Sequence, residues 1–563
     1  MMANLAVLNL VIVAVGIAQG LSVRDFPEVN DRPIIGVIAQ ASGGAIAKFG
    51  KTYIPASYIK YLESAGARVV PIRVNLTTAE YTKLFNSLNG VLYPGGSVNL
   101  FTSGYAKSAK IFYDLAIKAF DEGDYFPVWG TCMGFQQLTA LTSDRNVLTT
   151  CKGTENKSYK LNFSKDYMSS RMFGKVPVDI LTDLATLPLT PNFHKYCLTP
   201  QIFTDDAKLK SFYKILSTNT DDDGMEFVSS MEAIKYPVYG VQWHPEKNNF
   251  EFGSILKITH SDAATRVSQA MANFLVSEGV IAQASGEARA KFGKTYIPAT
   301  YIKYLESAGA RVVPIRVNLT TAEYTKLFNS LNGVLYPGGG VNKFTSGYAK
   351  SAKIFYDLAL KAFDEGDYFP VWGTCMGFQE LTALTSDRDV LTTCKGTGNK
   401  SYKLNFSKDY KSSRMFGKVP ADILTDMATL PLTPNFHKYC LTPQNFTDDA
   451  KLKSFYKILS TNTDDDGMEF VSSMEAIKYP VYGIQWHPEK NNFEFGSPLK
   501  ITHSDAATRV SQAMANFLVS EARRSQHKFA SAEEERSALI YNYTPVYTGR
   551  TAPAQFEQCY FFD

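Results

Sequence analysis

The sequence contains itself twice: the segment that begins at Gly36 starts again at Gly279, and the two copies run in step without a gap to Glu278 and Glu521. Fifteen positions differ between them, so a fold open to one copy is open to the other. A repeat this long is no solenoid unit, because each copy is large enough to bury a core of its own. The reading is a tandem of two domains, copy one at residues 29–278 and copy two at residues 279–563 with the tail included. The seam between them is abrupt. Copy one passes through the helical pattern AATRVSQAMANFLVSE (Ala263 to Glu278) into GVIAQ with no Gly/Ser/Pro linker. Copy two therefore lacks the lead-in Arg32-Pro33-Ile34-Ile35, which opens the apolar run PIIGVIA. It is expected to shorten its first strand or to recruit Phe274 to Val276. Only copy two continues into a tail, Glu521 to Asp563.

Within one copy the pattern alternates. The strand PIIGVIA precedes a helix through Ile54 to Ala65, the strand Ala67 to Ile72, a helix around Ala79 to Leu88 and the strand Gly90 to Pro94. A long helix from Tyr105 to Phe120 then leads to the strand YFPVWG, which ends at Gly130. Apolar strands alternating with helices imply an α/β fold, a mainly parallel sheet with helices on both faces. Ligands in such folds bind beyond the carboxyl ends of the strands.

Hydrophobic residues at 45% and charged residues at 20% are ordinary for a globular chain. A net charge of +4, with no basic run interleaved with aromatics, points away from nucleic acid. Leu5 to Ile17 form an apolar run followed by Ala18 and Gly20, which reads as a signal peptide over residues 1–20 and is too short for an unaided membrane span. Sequons at Asn75, Asn156, Asn162, Asn318, Asn399, Asn405, Asn445 and Asn542 agree with a secreted or lysosomal route and no stable membrane insertion after cleavage. The seven cysteines are Cys132, Cys151, Cys197, Cys375, Cys394, Cys440 and Cys559. An odd count leaves at least one thiol unpaired or catalytic. No CxxC or Cys/His cluster has zinc spacing, so no metal is expected.

Chemistry concentrates in YFPVWGTCMGF, where an apolar strand runs through Gly130 into Cys132 and a helical pattern follows; Cys375 sits in the same phrase. A Gly-x-Cys-x-Gly turn between strand and helix lifts a nucleophile above the sheet, and the helix N-terminus favours a thiolate. A base is supplied by YPVYGVQWHPE. His244 and His487 end an apolar strand, with Glu246 and Glu489 two residues on, where side chains of an extended chain point the same way. Each acid can then orient its imidazole. A third phrase, LYPGGS, ends a strand in Gly95 and Gly96, whose N–H groups with that of Met133 could form an oxyanion hole; copy two offers Gly338, Gly339 and Met376. Each phrase alone also has a structural reading: a buried cysteine, a satisfied strand-end histidine, an ordinary turn.

Together the order PGG, GTCxGF, WHPE resembles the class I glutamine amidotransferase-like fold, so the two domains are read as tandem members of it. Phrases such as SYIKYLESAGARVVP, NGVLYPGG, SRMF, LTPNFHKY and YPVYGVQWHPEK, and the tail with FEQCYFFD, resemble the γ-glutamyl hydrolase family over nearly the whole of both copies. The resemblance implies a cysteine-type omega peptidase that cleaves γ-glutamyl bonds of folate polyglutamates and γ-glutamyl peptides through a thioester, without a cofactor. Its nucleophiles would be Cys132 and Cys375, its bases His244 and His487, its orienting acids Glu246 and Glu489. It further implies places near the bound glutamyl group for Tyr58, Tyr301, His194 and His437. Where that family commonly has Glu four residues after the nucleophile, this chain has Gln136 and Gln379. Three alternatives stay open: the glutaminase part of an ammonia-channelling synthetase, a duplicated non-catalytic binding protein, and two adjacent coding units joined into one chain. Assembly stays open too, as a homo-oligomer or as pairing of the two domains within the chain.

Overall fold

The structure is a computed structural model; it describes residues 32–563 apart from 153, 254, 276–291, 293–294, 318, 396, 497–498, 550–555 and 563. The expected leader and the seam at Gly279 lie outside the described residues.

Copy one is built on an eight-stranded sheet in the order Arg68–Ile72, Ile34–Ile38, Gly90–Tyr93, Val128–Thr131, Val238–Val241, Glu226–Ala233, Tyr213–Thr220 and Asn162–Phe163. The first five strands are parallel and the remaining pairings antiparallel. Alternation along each strand separates two cores. Val91, Tyr93 and Val128 face the helices Thr78–Phe85, Gly104–Asp121 and Met133–Ser143. Leu92, Trp129 and Tyr239 face Ala56–Ser64, Val178–Thr186 and Asp262–Leu275. A sheet covered on both faces has strands apolar on both, which is why they read as continuous hydrophobic runs. Local signals set the helix starts. Thr77 and Glu80 form a reciprocal capping box, and the Ser103 side chain accepts from the Ala106 N–H.

Copy two repeats this plan with a six-stranded sheet among the described residues: Val334–Tyr336, Val371–Thr374, Val481–Ile484, Glu469–Ala476, Tyr456–Thr463 and Asn405–Phe406. Residues 311–315, which match the copy-one strand Arg68–Ile72, carry no strand. The expected recruitment of Phe274 into a strand is not found. Phe274 lies in the helix Asp262–Leu275, whose Val267 and Met271 stripe on the copy-one core keeps this stretch helical. The tail adds a strand instead: Gln558–Phe562 pairs antiparallel with Thr295–Pro298. In copy one the equivalent Thr52–Tyr53 pairs with Gln40–Ala41. The tail continues over copy two, with Ile540 N–H donating to Val312 O at 2.9 Å. His527 lies between Phe328 O at 2.7 Å and Asp367 at 2.6 Å.

Residues Asp31–Asp563 form one compact unit, in which the copies meet with reciprocal contacts. Lys60 pairs with Glu306 at 2.6 Å, and Lys303 with Glu63 at 2.8 Å. Asn249 donates to Ser307 O at 2.9 Å and Asn492 to Ser64 O at 3.0 Å. Gln269 and Gln512 donate to the same two carbonyls. Each contact recurs one repeat on with the roles exchanged, the pattern of an isologous two-fold interface.

Candidate active site

The strand Val128–Thr131 ends at Cys132, which adopts φ 53° and ψ −108°, and Cys375 matches it at φ 54° and ψ −105°. Positive φ at a residue with a side chain costs on the order of 1–3 kcal/mol and is held by its surroundings. Here the holding is steric. The helix after Cys132 passes so close to the neighbouring strand that any side chain at Gly134 would overlap the Tyr93 carbonyl. Cys132 N–H is bonded to Val241 O at 2.8 Å, which ties the elbow to the strand leading toward His244. Met133 opens the helix, so its N–H has no intrahelical acceptor.

His244 does not sit on that strand, which stops at Val241. The chain continues irregularly, with His244 N–H bonded to Pro191 O at 2.9 Å, and Glu246 has helical φ −66° and ψ −24°. Strand alternation is therefore not what brings the acid to the imidazole. A turn through Pro245 does, and it places Nδ1 2.7 Å from Glu246 Oε1, with both side chains buried. That bond assigns the Nδ1 proton to the acid side. Nε2 is buried and has no nitrogen or oxygen partner among the described residues. Burial opposes charge on the ring, but Glu246 and then Cys132 outweigh it and raise the imidazole to about 9. Burial likewise opposes ionisation of Glu246, and His244 outweighs it, holding the carboxyl below its ordinary value.

Gly95 is where the side chains converge. A Cβ placed there would lie 2.7 Å from His244 Cε1, 2.7 Å from the Tyr58 hydroxyl and 3.2 Å from Cys132 Cβ, so thiol carbon and imidazole flank one point. The Gly95 N–H donates to Tyr58 OH at 2.8 Å, and that hydroxyl lies 3.3 Å from His244 Nδ1. Gly96 packs on the amide of Gln40, whose Nε2 donates to Gly95 O at 2.8 Å. Gln40 was not singled out in the sequence; a buried glutamine just past an apolar strand was its one signal.

Copy two repeats the relations among its cysteine, histidine, acid, tyrosine and first glycine. His487 Nδ1 lies 2.6 Å from Glu489 Oε1 and 3.4 Å from Tyr301 OH, which accepts from Gly338 N–H at 2.9 Å. A Cβ on Gly338 would lie 2.7 Å from His487 Cε1 and 3.1 Å from Cys375 Cβ. His487 is also raised to about 9, with burial opposed by Glu489 and Cys375. Gly339 follows in the same exposed turn, and Met376 opens its helix.

His194 and His437 are buried against paired cysteines. Cys151 is bonded to Cys197 and Cys394 to Cys440, while Cys132 and Cys375 stand outside these disulfides as free thiols. Gln136 and Gln379, on the nucleophile helices, donate to the carbonyls of Tyr196 at 2.9 Å and Tyr439 at 3.0 Å.

The peptidase C26 family model matches the chain twice, over residues 33–246 and 278–489. The γ-glutamyl hydrolase of Bos taurus is 53% identical over 271 residues, covering 48% of this chain and 84% of that protein. The human γ-glutamyl hydrolase is 51% identical over 272 residues, covering 48% and 84%. Among solved structures, the glutaminase domain of Trypanosoma brucei CTPS aligns at 13% identity and a TM-score of 0.29, covering 43% of this chain and 92% of that one.

Proposed function

The chain belongs to the peptidase C26 family, and on that premise we propose that each copy is a cysteine-dependent γ-glutamyl hydrolase acting on folate polyglutamates and related γ-glutamyl peptides. The observation that carries the reading is the meeting of Cys132 and His244 at Gly95, repeated by Cys375 and His487 at Gly338.

In this reading the thiolate of Cys132 attacks the γ-carbonyl carbon, and the imidazolium, held by Glu246, gives its proton to the departing amine. A thioester remains. Water then attacks it as His244 takes the proton, and the thiolate leaves. Charge on the carbonyl oxygen is met by N–H groups at the helix start and in the glycine turn: Met133 with Gly95 or Gly96, and Met376 with Gly338 or Gly339. Gly95 N–H is already bonded to Tyr58, so Tyr58 governs its release to the oxyanion. His194 and His437, buried behind the site, are support for the substrate pocket rather than groups that touch the sulfur.

The test uses the full chain and a pteroyl polyglutamate. Release of glutamate or γ-glutamyl peptide that iodoacetamide abolishes is expected; cleavage indifferent to iodoacetamide contradicts the reading. The exposed sequons Asn75, Asn162 and Asn405 fit a lumenal route with N-glycans and a cleaved leader, expected as a glycosidase-sensitive mass on the secreted protein. An unglycosylated chain with an intact amino terminus contradicts that route.

A further inference from the structure

A cluster outside the hydrolytic machinery has chemistry of its own. The strands Thr149–Thr150 and Tyr196–Cys197 pair antiparallel, which brings Cys151 to Cys197 although 46 positions separate them. His194 closes the group, with Nδ1 3.6 Å from each sulfur. Its other nitrogen, Nε2, faces Asn192 Oδ1 at 2.9 Å. Asn192 Nδ2 donates to Thr190 O at 2.8 Å, which fixes the amide with its oxygen toward the ring. Nε2 must therefore carry the proton.

Nδ1 is the ring nitrogen turned toward the two sulfurs. Around it stand Cys151 Sγ, Cys197 Sγ and Tyr196 O at 3.2 Å, and none of these can donate a hydrogen bond while the sulfurs are joined. An imidazole nitrogen and two cysteine sulfurs converging on one buried point are, as imidazole and thiolates, donors a borderline-soft divalent cation takes in tetrahedral sites. The three side-chain atoms lie within 4.8 Å of one another, and Cys394, His437 and Cys440 form the same group in copy two. Linear spacing concealed both groups, because each first cysteine lies 43 positions before its histidine.

We propose that, once its disulfide is reduced, each of the groups Cys151–His194–Cys197 and Cys394–His437–Cys440 is a zinc site, with the Tyr196 or Tyr439 carbonyl facing the fourth position. Two molecules of a small thiol reduce each disulfide, passing two electrons and two protons to the cysteines and leaving as one oxidised disulfide. Zinc(II) then displaces the two thiol protons and is bound as a dithiolate. The disulfide and zinc forms exclude each other. The site is tied to the nucleophile, because Tyr196 O also accepts from Gln136 on the helix that follows Cys132.

The experiment uses the full chain carrying Cys132→Ala and Cys375→Ala, so that the nucleophilic thiols bind nothing. Reduced anaerobically with a dithiol, freed of it and mixed with zinc alone, the chain should retain two zinc ions, and the oxidised chain none. Cobalt(II) alone should give a thiolate-to-metal charge-transfer band that adding Cys197→Ser and Cys440→Ser abolishes. The comparison of oxidised with reduced chain needs no further substitution and stands even if that variant folds poorly. Equal zinc retention by the two redox forms, or a cobalt band that survives in a folded Cys197→Ser, Cys440→Ser chain, overturns the proposal.

Discussion

The side-chain amide of Asn492 donates to the main-chain carbonyl of Ser64 in the other copy, at 3.0 Å. Asn492 lies three residues beyond Glu489, in the short helix Pro488–Phe493 that Glu489 helps to form, so the segment bearing the orienting acid is fastened across the interface. Asn249 and Ser307 are its mirror.

Asn492→Ala should weaken this fastening. Gln512 still donates to Ser64 O, so the stability loss is that of one net hydrogen bond, about 1 kcal/mol. In a Cys132→Ala background, kcat at the Cys375 site should fall several-fold, with KM changing less. Unchanged kcat at that site would show that the interface does not position the acid.

Both imidazoles are raised to about 9, and the imidazolium is needed to protonate the leaving amine. The pH profile of kcat/KM should therefore fall on its alkaline side near that value. Because each folded value lies above the ordinary 6.5, the histidines' contribution to stability is fully present below pH 6.5 and lost as pH rises through about 9. Glu246→Gln with Glu489→Gln removes the largest interaction favouring the charged ring, so the alkaline limb should move toward neutral pH. A limb that stays in place contradicts the pairing.

The mainly parallel sheet, its helices on both faces and the choice of Cys132 and His244 as partners were legible because each phrase joins an apolar strand to the polar residues that follow it. The link from His244 to Glu246 was anticipated for the wrong reason: Pro245 and the turn after Val241, not strand alternation, set it. What could not be read depends on distant partners. The hold of Gln40 on Gly95 spans 55 positions, and the approach of Cys151 to His194 spans 43. Neither leaves a local pattern.

Three of the differences between copies act together. Copy two has Lys343, Glu380 and Asp389 where copy one has Leu100, Gln137 and Asn146. Gln137 donates to Leu100 O at 3.0 Å, whereas Lys343 lies 3.4 Å from Asp389 and near Glu380. Burial raises the Glu380 carboxyl to about 8, against the pull of Lys343. A raised carboxyl favours folding at low pH, so its contribution is full below pH 4.5 and is lost as pH rises through about 8. Lys343→Leu should deepen this loss and Glu380→Gln abolish it, read as melting temperature against pH. Coincident melting curves for the three chains contradict the coupling.

The tail should matter more to copy two. Phe556 lies against the buried Lys490, 4.9 Å from its ring, and the strand Gln558–Phe562 pairs with Thr295–Pro298. Removing residues 556–563 should slow alkylation-sensitive turnover at Cys375 and lower the melting temperature, while the Cys132 site keeps most of its rate. Equal losses at both sites would show that the tail serves the whole chain.

Two sites of one chemistry are distinguished most directly by the turnover of a pteroyl polyglutamate by the full chain, by Cys132→Ala, by Cys375→Ala and by the double variant. Each single variant is expected to retain activity and the double variant to retain none above background. Undiminished cleavage by the double variant would contradict the account.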